Sequence, residues 1–307
     1  MASAIRNIYG NLKKRSFLLL LVPGMGLYFT FIVYPLIAGL RYSLYNWDGI
    51  GPLTNFVGFE NFRYILTSGD FSPFVMRALK HNMFIFGLSL VLQIALGLLV
   101  AYLLTRTKWV RFYQTTYFIP YTLSAVVVGF LWGLLLQPQW GIINKVLANV
   151  GLARSWLGST SLALPTIVVI STWHGIAFPI MVFNAAMIGI PSELFEAARV
   201  DGASYWQILM RIVLPLILST AILLSMLIFV GSFGVFGLIF VMQGAEAGPY
   251  YSTDVLGTLF YRTAFGGMGA TARGMGLASA LAVLNAFIVA PFSLVLVRLQ
   301  RRFNYDL

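Results

Sequence analysis

Six long stretches of the chain contain no Asp, Glu, Lys or Arg: Ser16 to Leu40, His81 to Thr105, Phe112 to Asn144, Ser155 to Ser192, Ile212 to Ala245 and Gly274 to Val297. Each can hold a helix of about 20 residues, the length that crosses the hydrocarbon core of a bilayer. The pattern predicts an all-α membrane protein, one domain over residues 1–307. Its six expected spans lie at about 16–40, 82–105, 112–137, 164–188, 216–242 and 274–297. The first run follows Arg6, Lys13, Lys14 and Arg15, as a signal peptide would, but it is longer than a signal core and carries Pro23 and Pro35. It reads as a retained first span.

An even number of spans puts both termini on one side. On that side fall Arg6, Lys13, Lys14, Arg15, Arg106, Lys108, Arg111, Arg199, Arg211, Arg298, Arg301 and Arg302, which is twelve of the twenty basic residues. Of the eight on the other side, half lie in the long first loop (41–80), where charge counts for less. The bias predicts cytoplasmic termini in the cell membrane. Composition agrees with lipid as the solvent, since 59% of residues are hydrophobic and only 9% charged. The net charge of +11 is then read as cytoplasmic loop charge rather than a nucleic-acid surface. Without cysteine and with only His81 and His174, the chain has no set of soft ligands for a metal site. The loop from Gln243 to Ala272 is Gly-rich and reads as an extracellular turn region. No Gly-Lys-Ser/Thr phosphate loop occurs, so whatever energises the protein is on another chain, or it works passively.

One polar stretch interrupts the second half of the chain, at residues 190–215. Pro191 and Ser192 are expected to open a short helix, with Ser192 as its cap and Glu193 and Glu196 in its first turns, where negative charge suits the helix dipole. Glu196 and Arg199 are spaced to reach one another, and Asp201-Gly202 ends the helix. Ser204 with Gln207 has the spacing of a capping box for a second helix. Trp206, Leu209, Met210 and Val213 would form its apolar stripe, and Pro215 leads into the fifth span. On physical grounds this knuckle could lie on lipid headgroups or dock a protein. Its three acids against the single Arg199 in the first helix favour a protein.

Glu196-Ala197-Ala198, Asp201-Gly202, Ile212 and Leu214-Pro215 resemble, spacing included, the EAA signature of bacterial ABC-importer permeases of the sugar, maltose-permease-related branch. Ile119-Pro120-Tyr121 read as opening a span, Trp156-Leu157-Gly158, and Thr172-Trp173 ahead of Pro179 are similar to the same family, so the likeness runs from about Phe74 to Arg298. It implies an ABC type I importer fold, with Glu196, Ala197, Ala198, Asp201, Gly202, Leu214 and Pro215 coupling the chain to an ATPase subunit. It also implies a second homologous permease subunit, two ATPase subunits carrying ATP and Mg, and an extracellular solute-binding protein, with no cofactor on this chain. Ser171, His174, Gly175 and Phe178, with Ser232 and Val235, are implied as pathway residues. Ser171, His174 and Phe178 would share one helical face, and Gly231, Gly234 and Gly237 would make room beside Phe233 and Phe236. Glycine packing and an interhelical histidine bond are the bland alternatives. After the fifth span the chain departs from the family pattern, so the resemblance does not reach the solute: a carbohydrate or polyol is expected, and amino acids or peptides are the alternative. A self-sufficient six-span transporter would want ionisable residues inside its spans, and an intramembrane enzyme would want a reactive set there. The runs hold neither.

Overall fold

The structure, a computed structural model, describes residues 21–266 and 274–303. The basic group before Leu21, and with it the start of the expected first span, lies outside the described residues. Every regular element among the described residues is a helix, joined by turns and loops, and one isolated antiparallel bridge pairs Tyr45 with Phe56.

Three helices are individually long and apolar enough to cross a membrane: α1 (Leu21–Tyr42), α3 (Ser72–Leu104) and α14 (Met275–Arg302). The short α2 (Glu60–Thr67) precedes α3. Asn61 on α2 donates to the backbone carbonyls of Ser43 and Tyr45 at 2.9 and 3.0 Å, pinning the loop that leaves α1. That loop closes against the start of α14 so tightly that a Cβ at Gly276 would collide with the Tyr45 carbonyl, so glycine is required there.

The remaining runs are broken rather than straight. The expected third span is α4 (Val110–Thr122) and α5 (Ala125–Leu135), bent by 94°. The physical cause is local. Leu123 and Ser124 are extended, and the Ser124 hydroxyl caps α5 by accepting from the Val127 amide. Ile119-Pro120-Tyr121 therefore closes α4 and does not open a span. After the short α6 (Ile142–Ala148), the fourth run divides into α7 (Ala163–Gly175) and α8 (Ala177–Ile188), bent by 46°. Pro179 has no amide hydrogen for the Gly175 carbonyl, which explains a bend at this point. The knuckle is α9 (Ser192–Val200) and α10 (Tyr205–Leu216). A bend of 73° at Ile217 then leads into α11 (Leu218–Phe233). The fifth run breaks again at Gly234–Phe236 before α12 (Gly237–Gln243). The loop expected over Gln243–Ala272 contains a further helix, α13 (Leu256–Phe265), whose inner face is buried.

With its 33 residues, α3 is the axis of the fold and spans about 50 Å. Near its start, Val75 and Ala78 pack with Phe229, Leu259 and Leu281 from α11, α13 and α14. At its end, Leu98, Ala101, Tyr102 and Leu104 pack with α8 and with Ile208, Leu209 and Val213 of the knuckle. Gly97 permits the close crossing of α3 with α8, since a Cβ there would lie 3.0 Å from Pro179. By contrast, α1 buries none of its apolar window and touches α14 only over its last turns.

Candidate functional site

Three polar features lie along α3, one at each end and one at its middle. At its end stands the knuckle. The N-cap of α9 is Pro191 and carries no side-chain cap, so Ser192 is the first helical residue and not the cap expected of it. The C-terminus is a complete Schellman motif. The Ala203 amide donates to the Ala198 carbonyl at 2.9 Å and the Gly202 amide to that of Arg199 at 3.1 Å, with Gly202 at φ +74°. Ser204 and Gln207 form the reciprocal capping box, at 2.7 and 3.3 Å. Two tight, independently capped helices therefore meet at a turn of only a few residues.

The stripe expected on α10 is rearranged. Pro215 cannot donate to the Arg211 carbonyl, and the helix widens so that the Leu214 amide bonds to Leu209, five residues back. The buried positions become Ile208, Leu209 and Val213, while Trp206 and Met210 turn outward. Glu196, Ala197, Asp201, Gly202 and Pro215 are exposed, and Leu214 is half-buried. Ala198 faces inward and is buried against α3 and α8. Glu196 and Arg199 form no ion pair with each other, because among the described residues the ion pair present is Arg262–Asp254. Arg199 and Glu196 instead rim a small pocket of about 200 Å³ at the knuckle's root, with Arg106 on its far wall. Arg106, just past α3, donates to the Tyr102 hydroxyl, and its guanidinium lies 4.5 Å from the Tyr102 ring centroid and 3.8 Å from that of Tyr205. Tyr102 in turn donates to the Tyr205 carbonyl at 2.9 Å.

Half-way along α3 a cavity of about 370 Å³ opens between α3, α4, α7–α8 and α11. Ser171, Gly175, Phe178, Ser232 and Val235 all line it. The face is i, i+4, i+7 rather than the i, i+3, i+7 expected, and His174 is turned away. Its Nε2 lies 2.9 Å from the Leu123 carbonyl, the acceptor freed where α4 breaks from α5. Phe233 and Phe236 also face elsewhere, Phe233 into the core against Phe229 and Phe236 against Phe240 and Tyr261. The cavity's aromatic wall is instead Phe178 with Tyr121, near-parallel rings whose centroids are 6.5 Å apart. Ser89 and Gln93 of α3 complete the polar lining. Sequence reading missed Tyr121, Ser89 and Gln93. The available signal was two polar side chains four residues apart in an otherwise apolar run, which put them on one face of α3. Ser232 donates to its own helix at Ile228, 2.7 Å away. The side chains of Ser89, Gln93, Ser171 and Tyr121 have no hydrogen-bond partner among the described residues, so this cavity presents several uncommitted polar groups beside two rings. The larger groove between α1 and α14, about 630 Å³, offers almost wholly apolar side chains and no comparable set of polar groups.

Beside the start of α3 lies a third polar cluster, in which Asn82, Asp254, Thr258 and Arg262 are buried. Arg262 forms a bidentate pair with Asp254 at 2.6 and 2.9 Å and also donates to the Ala245 carbonyl. Thr258 donates to Asp254 at 2.7 Å, and His81 lies 2.7 Å from the Asp254 carbonyl. Asn82 joins α11 to α13, donating to the Ser232 carbonyl and accepting from the Leu256 amide. Tyr251 covers the guanidinium at 4.9 Å; burial, and after it the Glu246 carboxylate, raise its phenol above the usual tyrosine range.

Known proteins share this architecture. The chain is 31% identical to the probable ABC transporter permease protein YurN of Bacillus subtilis over 283 residues, covering 90% of this chain and 93% of that one. It is 29% identical to the multiple sugar-binding transport system permease protein MsmF of Streptococcus mutans, over 93% and 94% of the two chains. Its fold superposes with a TM-score of 0.79 and 27% identity on a chain of a bacterial ABC transporter that imports the acidic polysaccharide alginate, covering 97% of this chain and 100% of that one. Residues 93–306, from the cavity's Gln93 through the knuckle to the carboxy terminus, match the family described as binding-protein-dependent transport system inner membrane component. The chain belongs to that family and is a multi-pass membrane permease of the ABC-importer type.

Proposed function

We propose that this chain forms half of the translocation pathway of an ATP-driven carbohydrate importer. Its three long helices and three bent pairs would make six spans with both termini in the cytoplasm. A second homologous permease subunit would complete the pathway, two ATPase subunits would bind ATP and Mg, and an extracellular binding protein would deliver the solute. The chain itself would hydrolyse nothing and bind no cofactor.

The observation that carries the reading is the knuckle's exposed tip. Val200 is 88% exposed and Trp206 60% exposed on a turn that is otherwise polar and fully capped. Apolar side chains held outward by so rigid a frame fit a protein socket, with Glu196 and Asp201 meeting polar or basic groups and Ala197 and Gly202 permitting close approach. The knuckle's inner face is fused to α3 and α8 through Ala198, Leu209 and Val213, so a push on the tip would reach helices that wall the cavity. Ser171, Gly175, Phe178, Ser232 and Val235, joined by Ser89, Gln93 and Tyr121, would line the solute path, and His174 would hold the broken helix beside it. Rings with hydroxyl and amide groups suit a sugar, and relatives named for diacetylchitobiose and sn-glycerol 3-phosphate uptake support the class.

The test is assembly. Val200→Asp with Trp206→Asp should leave the permease in the membrane yet prevent co-purification of the ATPase subunits. Retention of those subunits in full would overturn the coupling role. Topology is checked by Val200→Cys, which should react with an impermeant thiol reagent in inside-out vesicles and not in intact cells.

A further inference from the structure

The cavity's electrostatics narrow the solute, given the carbohydrate reading on which the narrowing rests. Among the described residues no charged side chain lines it; its polar groups are the hydroxyls of Ser89, Ser171, Ser232 and Tyr121 and the amide of Gln93. Nor can a neighbouring cation swing in from the same walls. Residues 82–105, 112–144 and 212–245 carry no Lys, Arg or His, and 155–192 carry only His174. The His174 imidazole is outside the lining and committed to the Leu123 carbonyl.

An anion moved from water against this half of the pathway would lose hydration and meet only neutral dipoles on this chain, a loss that is very large unless a cation pairs with it. A neutral sugar loses only hydroxyl hydrogen bonds, and five uncommitted or partly committed polar side chains stand ready to replace them. From this we infer that this chain's half of the pathway is built for uncharged saccharides or polyols and supplies no charge partner for phosphorylated or uronate solutes. Similar proteins are named for both kinds: a permease of Pectobacterium atrosepticum, 28% identical, for sn-glycerol 3-phosphate, the 27% identical chain of the transporter for the acidic polysaccharide alginate, and a permease of Streptomyces coelicolor, 29% identical, for diacetylchitobiose. The lining puts this chain with the neutral class.

The experiment uses the complete importer, with its partner permease, ATPases and binding protein, in proteoliposomes. Probes are neutral gluco-, galacto- and N-acetylglucosamine disaccharides, sn-glycerol 3-phosphate, oligouronates, and a neutral dipeptide. ATP-driven uptake of one or more neutral sugars, about tenfold or more above every anionic probe, is expected. Gln93→Glu should abolish that uptake, because it would place an unpaired carboxylate in the cavity, while membrane level and ATPase assembly persist. Uptake of an anionic probe ahead of the neutral sugars overturns the charge rule and leaves the carbohydrate reading standing. Uptake of the dipeptide alone overturns the carbohydrate reading and leaves the charge rule standing. Undiminished uptake by Gln93→Glu would show that solute does not pass this cavity and would overturn the inference by itself.

Discussion

The Arg106 guanidinium lies 3.8 Å over the ring of Tyr205, so the end of the longest helix is clamped to the second helix of the knuckle. Tyr102 closes the clamp from the other side, donating to the Tyr205 carbonyl at 2.9 Å. A cation held between two rings at a partly exposed site contributes about 1 kcal/mol. That is small against folding but, under the proposed coupling, sufficient to change how firmly the knuckle would transmit force. Arg106→Ala should therefore leave membrane level and ATPase assembly intact while lowering solute transported per ATP by about fivefold. Arg106→Lys should fall between, since an ammonium keeps the charge but loses the planar stack. Uptake and phosphate release measured together in proteoliposomes check this; an unchanged ratio in Arg106→Ala would remove the clamp from the mechanism.

At the other end of α3, burial decides the energetics. Asp254 and Arg262 are 0% and 2% exposed and satisfy each other in bidentate geometry. Removing one partner strands a buried charge, at a cost of about 3–5 kcal/mol. Arg262→Met or Asp254→Asn alone should lower the thermal inactivation midpoint in detergent sharply, and Arg262→Met should be the worse because the Ala245 carbonyl loses its donor too. The double variant Asp254→Asn with Arg262→Met should recover part of the loss, because neither charge is then left unpaired. A double variant as unstable as the sum of the two single variants would show that the pair is not coupled.

Hydropathy read the apolar helices well because an apolar total survives a bend, and for the same reason it was blind to the bends. Nothing in the hydropathy of 112–137 distinguishes a straight span from two helices at 94°; the break depends on Leu123 and Ser124 adopting extended backbone. The knuckle was legible because its capping chemistry is local: Gly202, Ser204 and Gln207 act within three or four residues of each other. Its apolar stripe was misread because a widened turn, set by Pro215, shifted the phase and put Trp206 outside. The helix α13 was hidden for a different reason. Arg262 and Asp254 look like loop charges until their partnership is known, and that partnership is tertiary. Gln93 and Tyr121 were overlooked because their importance lies in facing a shared space across helices.

His174 provides a test of bridging against binding. The Leu123 carbonyl sits at an exposed helix break, and the imidazole Nε2 at 2.9 Å donates to it. His174→Ala should cost about 0.5–1.5 kcal/mol, the net worth of the lost hydrogen bond, and His174→Gln, which keeps a donor, should recover most of it. Neither change should alter the solute concentration for half-maximal uptake by more than about twofold, a shift within the spread of an indirect effect. A large shift in that concentration at unchanged stability would return His174 to the cavity lining.

The knuckle's tip separates strain from contact. Gly202 holds φ +74°, yet a Cβ built on it meets nothing within 4 Å. Within this chain, then, a substitution there costs only backbone strain, about 1–2 kcal/mol for alanine and less for asparagine, whose side chain tolerates the left-handed region. Gly202→Asn should accordingly insert and pack as the native chain does, with a thermal midpoint within a few degrees. If the tip seats in a cleft of the ATPase, the added volume acts only in the complex. Solute-stimulated hydrolysis should then fall about tenfold or more, or the ATPase should fail to co-purify, and Gly202→Asp should be at least as severe because it adds charge as well. Side-by-side thermal and ATPase measurements on the two variants separate the outcomes. Normal stimulated hydrolysis in both would mean that the tip touches no partner, and the coupling assigned to residues 190–215 would have to be sought elsewhere on the same face.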